Sequence, residues 1–74
     1  MFFTRKQKEM ALTRGYLLER EYELSERDLI RVAKTGDEKQ LEKAMSVHHD
    51  IEYALLYTYT PEYKQLIINS FRRK

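Results

Sequence analysis

Residues 48–63 read HHDIEYALLYTYTPEY and bring two adjacent histidines, Asp50, Glu52 and four tyrosines together. Imidazole beside carboxylate is the material of metal sites and of general acid–base catalysis. Spacing argues against both. Neighbours on a helix point about 100° apart, so His48 and His49 cannot share one ion. His48/Glu52 and His49/Tyr53 have the i, i+4 spacing of ligand pairs, yet each pair leaves a site two ligands short. The chain has no His-Glu-x-x-His, no Glu-x-x-His, no glycine-rich phosphate loop and no nucleophile elbow. Cysteine is absent, which removes thiolate zinc sites, iron–sulfur clusters and cysteine nucleophiles. We therefore expect no catalytic residues, no metal, no cofactor and no enzymatic activity.

The tyrosines raise a question of contact. On a helical projection at about 100° per residue, Leu41, Ala44, His48, Ile51, Leu55 and Tyr59 fall within about 80° of one another, the expected core stripe. His48 then reads as a partly buried polar group. Tyr53 and Tyr57 fall on the other side with Ser46, His49 and Asp50, and Leu56 beside them. Tyrosine is enriched at interfaces, so Tyr53, Tyr57, His49, Asp50 and Leu56 are the expected partner-binding residues. The alternative is a central helix whose Tyr53 and Tyr57 pack under the first helix with their hydroxyls at the edge.

Four start signals set out the elements that must position these residues. Thr4 with Gln7 is a capping-box pattern, followed by Met10, Leu17 and Leu24 at heptad spacing, joined by Ala11, Leu18 and Tyr22 on an adjoining face. Gly15 interrupts this run and permits a kink or break. In LSERDL, Ser25 has the placement of an N-cap, with Leu24 and Leu29 as a hydrophobic staple. Gly36 suits a left-handed helix end, and Asp37 a cap for the next helix. Thr60-Pro61-Glu62 stops that helix and starts another, which carries Tyr63, Leu66, Ile67 and Phe71 along one side. The expectation is all-α: a single domain over 1–74, built as a small bundle of four helices, about 5–23, 26–34, 38–58 and 61–72, joined by very short turns. No stretch makes a convincing strand, and no repeat is present.

Charge is segregated. Residues 1–20 carry a net +3, residues 21–62 a net −5 and residues 63–74 a net +4. Basic ends complement helix C-termini and aid solubility; brought together they would form a patch of Arg5, Lys6, Lys8, Arg72, Arg73 and Lys74 able to meet nucleic acid. A helix-turn-helix reading of residues 28–45 is disfavoured, because its second helix opens on Asp37-Glu38, where phosphate needs a basic or neutral end. No apolar run approaches the roughly 20 residues that span a bilayer, and the first ten residues lack the apolar core of a secretory signal, so a cytoplasmic protein without membrane contact is expected.

Two short stretches resemble known families. YELSERDL (22–29) is similar to the corresponding stretch of the Hha/YmoA proteins, small all-helical modulators that act by binding a nucleoid protein; the likeness covers eight residues. AKTGDEKQLEKAM (33–45) resembles the inter-helix turn of an ankyrin repeat, as a single unit without the Thr-Pro-Leu-His opening. No function is carried over from either.

The expected function is that of a non-enzymatic helical binding protein docking on a larger protein, a regulator, adaptor or inhibitor of the sort short bacterial or phage genes encode. Alternatives are a nucleic-acid accessory protein using its basic termini and a self-assembling homo-oligomeric subunit. The nucleic-acid reading makes a sharp demand: binding to duplex DNA must be strong at about 50 mM salt and fall steeply above it. A gel-shift titration that shows no binding at the low-salt end removes that reading.

Overall fold

The computed structural model describes residues 2–72 and is helical almost throughout. Helix α1 spans Arg5–Arg14, α2 Leu18–Thr35, α3 Glu38–Tyr57 and α4 Pro61–Arg72, with a single 3-10 turn, Gly15–Leu17, between α1 and α2. Every helix start but one follows a cap visible in the sequence. Thr4 Oγ1 accepts from the Gln7 amide (3.2 Å) while Gln7 Oε1 accepts from the Thr4 amide (3.0 Å), closing the capping box. Asp37 Oδ1 accepts from the amides of Lys39 and Gln40, and Thr60 Oγ1 from that of Tyr63. Gly36 ends α2 at φ 76°, the left-handed conformation that costs any side chain strain.

The exception corrects the expected division of the chain. Ser25 starts no helix; it lies inside α2, where its Oγ donates to the Tyr22 carbonyl oxygen (2.9 Å) and meets His48 Nδ1 (2.8 Å). The reason is packing periodicity. Leu18 and Val32 are buried, and Tyr22, Ser25 and Leu29 half-buried, a 4-3-4-3 stripe that runs straight through residue 25. One continuous stripe against α3 outweighs a cap and a staple worth about 1 kcal/mol. The break falls at Gly15 instead, where Tyr63 comes so near that a Cβ would stand 2.6 Å from its hydroxyl. Leu17 and Leu24 of the expected heptad seam are exposed, and the adjoining face is buried instead through Gln7, Ala11 and Leu18, with Ala11, Leu18, Ser25 and Val32 keeping one phase across the break.

Three helices pack and the fourth reaches out. Helix α3 lies between α1 and α2, and Ala11, Leu18, Ile51, Ala54 and Tyr57 form the buried core, flanked by Phe3, Met10, Tyr22, Leu55 and Tyr63. Helix α4 buries no residue fully. The molecule is accordingly long, 49 × 22 × 16 Å, with a radius of gyration of 14.5 Å. A compact chain of this length would have about 11 Å. No helix among the described residues is long and apolar enough to cross a membrane. Gly36→Ala places a Cβ in the left-handed region and should cost about 1 kcal/mol, lowering the thermal midpoint by roughly 4–8 °C in a calorimetric scan.

Candidate protein-binding surface

The five residues expected to face a partner do not share a surface. Tyr57 is 1% exposed and belongs to the core. The ring of Phe3 lies against it (5.2 Å between centroids), the Tyr63 ring meets it edge-on (5.9 Å), and the Lys8 ammonium sits 5.8 Å above it. Asp50 is half-buried and occupied, accepting from Gln7 Nε2 (3.1 Å) and paired with Lys6 (3.3 Å). Tyr53 is half-buried beneath Phe3 (6.1 Å), with His49 stacked on it (4.3 Å). Only His49 and Leu56 are exposed.

The physical reason is that α3 is covered on two sides. Helix α1 and the Phe3 segment cover Asp50, Tyr53, Ala54 and Tyr57; α2 covers His48, Ile51 and Leu55. The buried arc is therefore centred on Ala54, roughly 100° away from the stripe a single covered face would give. Tyr59, expected in that stripe, is 64% exposed, its hydroxyl 3.5 Å from Glu19. What α3 leaves to solvent is a wedge carrying Met45, His49 and Leu56, with Tyr53 at its edge. On the helical projection Met45 lies beside the expected core stripe. Only the knowledge that two helices cover α3 could have placed it outside.

Helix α4 supplies the other uncovered apolar surface. Leu66 (40%), Ile68 (44%) and Phe71 (70%) are exposed. The sequence does carry a signal for this: apolar residues 63, 66, 67, 68 and 71 spread over about 200° of the helix, wider than one contact face requires.

Ser25 Oγ lies within hydrogen-bond distance of both the Tyr22 carbonyl oxygen (2.9 Å) and His48 Nδ1 (2.8 Å), and which partner donates to which in the serine–histidine pair follows the histidine tautomer. The Tyr22 ring packs on His48 (4.7 Å), and its own hydroxyl is pushed up by partial burial and by the charges of Glu52 and Glu26. No group of three or more metal-ligating side chains occurs among the described residues. Of the expected basic patch, the structure describes Arg5, Lys6, Lys8 and Arg72. Arg5 pairs with Glu9, Lys6 with Asp50 and Lys8 with Glu62, while Arg72 lies ten residues beyond Glu62, roughly 15 Å along α4. Arg73 and Lys74 lie outside the described residues.

Tyr57 also holds the root of α4. Its hydroxyl donates to Glu62 Oε2, which Lys8 approaches at 3.5 Å. That bond, aided by Lys8 and opposed by partial burial, holds the Glu62 carboxyl below its usual range. Burial, with the Glu62 bond and charge, pushes the Tyr57 hydroxyl up to about 12.

Comparison with family models, with curated proteins and with solved structures finds no match to this chain. The YELSERDL likeness loses its structural content too, since Ser25 begins no helix here.

Two outcomes follow from this geometry. Tyr57→Ala should cost about 3–5 kcal/mol, as other large aromatic truncations in cores do, and unfold most of the protein in urea titrations monitored by circular dichroism. The lowered Glu62 contributes stability above its ordinary pKa of 4.5 that is lost as pH falls through the lowered value. The urea midpoint of the wild type should therefore drop more between neutral and strongly acid pH than that of Glu62→Gln. Raised Tyr57 acts at the other end, its contribution fading as pH climbs from 10 towards about 12.

Proposed function

We propose that this protein is a non-enzymatic helical binding module that docks on a larger protein through the outer wedge of α3. One observation carries the reading: after α1 and α2 have covered two sides of α3, Met45 (54%) and Leu56 (38%) stay exposed on the same line as His49 and the edge of Tyr53. Met45 and Leu56 are eleven residues apart, about 20° apart around the helix, so they form one row roughly 16 Å long. Methionine, imidazole, tyrosine and leucine along one helix, with Glu52 among them, suit helix-on-partner recognition, in which adaptable and aromatic side chains give most of the contact.

The chemistry beside it supports binding over catalysis. Asp50, the carboxylate next to the histidines, is engaged by Gln7 and Lys6. Partner binding therefore needs no reorganisation of the core. The test is affinity capture from cells that encode the protein, wild type against Met45→Glu/Leu56→Glu. Both side chains are exposed, so the variant should keep its helical circular dichroism while losing a partner that the wild type retains. A partner retained equally by both proteins, or none captured by the wild type, would overturn the proposal.

A further inference from the structure

Two apolar surfaces lie outside the α3 wedge, and they differ in charge. The groove between α1, α2 and α3, floored by Met10, Leu24, Val47 and Ile51, carries its charges in matched pairs, Lys6 with Asp50 and Arg14 with Glu21. Helix α4 is not matched in this way. Residues 63–74 hold four basic side chains and no acid. Glu62, at the root of the helix, is taken up by Tyr57 and Lys8.

The cations and the apolar side chains of α4 share a side. Tyr63 and Ile67, one turn apart and both half-buried, mark the line that turns towards the body. Beside it a second sector is wholly exposed. Lys64, Ile68 and Arg72 follow one another at four-residue spacing in a row about 12 Å long, and Phe71 lies between that row and Ile67. These four residues fall within about 100° of the helix. Ile68 is 44% and Phe71 70% exposed. Among the described residues neither Lys64 nor Arg72 stands in an ion pair. Gln65 and Asn69, bonded to each other (3.0 Å), take the side beyond Arg72. Glu62 lies about 120° around the helix from Ile68, and Leu66 about 160° away.

An aliphatic and an aromatic side chain set between two cations call for an occupant that is anionic at its surface and apolar beneath. A layer of anionic lipid headgroups over acyl chains has that chemistry. The stems of lysine and arginine lie along the apolar part while their charges stay at the phosphates. Nucleic acid would meet the cations and stack on Phe71, but it would leave Ile68 without a contact of its own kind. We propose that α4 is an interfacial helix that lays its Lys64, Ile68, Phe71 and Arg72 side on an anionic lipid surface. Helix α4 buries no residue fully, so a flat surface reaches this sector without opening the core.

Co-sedimentation of the full chain with phosphatidylcholine vesicles, either pure or containing about 30% phosphatidylglycerol, tests the proposal. Binding should be confined to the anionic vesicles and should weaken as salt is added. Lys64→Gln/Arg72→Gln should weaken it about 30-fold, from roughly fivefold for each cation removed. Ile68→Ser/Phe71→Ser keeps the charge and should weaken binding at least about tenfold, with helical circular dichroism unchanged because both side chains are exposed. Met45→Ser/Leu56→Ser should bind vesicles as the wild type does, which separates this result from partner docking on the α3 wedge. No binding to the anionic vesicles, equal binding to neutral ones, or a serine variant at 68 and 71 that binds like the wild type each overturn the proposal. So does displacement from the vesicles by single-stranded DNA at equal phosphate concentration, which would assign the sector to nucleic acid.

Discussion

The fold turns on one buried phenol. Tyr57 is the last residue of α3, and at its side chain the Phe3 segment, the Lys8 side of α1, the carboxylate of Glu62 and the ring of Tyr63 converge. In a chain of this size, few side chains are both large and fully enclosed. An aromatic ring with one polar end suits the position: the ring fills the gap between the amino-terminal segment and α3, and the hydroxyl reaches the first turn of α4. Remove that joint and the N-terminal segment, α1 and the root of α4 lose their common contact.

The arrangement around Tyr57 also explains what is left uncovered. Fastening α4 by its first turn fixes where the helix begins but leaves its remaining described turns largely exposed, with Ile67 half-buried. The same joint draws α1 over one side of α3, while α2 occupies the other through Leu18, Tyr22, Ser25 and Val32. Between the divergent α1 and α2 lies the groove, and opposite it lies the wedge of Met45, His49 and Leu56. Two apolar surfaces on opposite sides of one central helix are thus consequences of a single packing choice.

Much of the fold was legible residue by residue. The Thr4–Gln7 box, the Gly36–Asp37 turn and the Thr60-Pro61-Glu62 restart are local hydrogen-bond and dihedral requirements, met within four residues of chain, and each falls where the sequence places it. Ser25 shows the limit of such signals. A serine followed by Glu, Arg and Asp satisfies every local condition for a cap, and the stripe through Leu18, Leu29 and Val32 overrides it because burying that stripe is worth more than one capping bond. Gly15 is the converse. Its sequence context permits a break without requiring one, and the close approach that favours glycine there comes from Tyr63, forty-eight residues away.

By itself, then, the sequence determined the helical class, most helix ends and the absence of thiol chemistry, since these depend on residue type and on neighbours within a turn. The tertiary structure alone decided which tyrosines are buried. A helical projection shows which residues share a side; it does not show how many sides are covered. With one covered side, Tyr53 and Tyr57 would face solvent and Tyr59 would be core. With two, the buried arc turns towards Ala54, Tyr57 becomes the joint of the molecule, and Tyr59 and Met45 go to the surface.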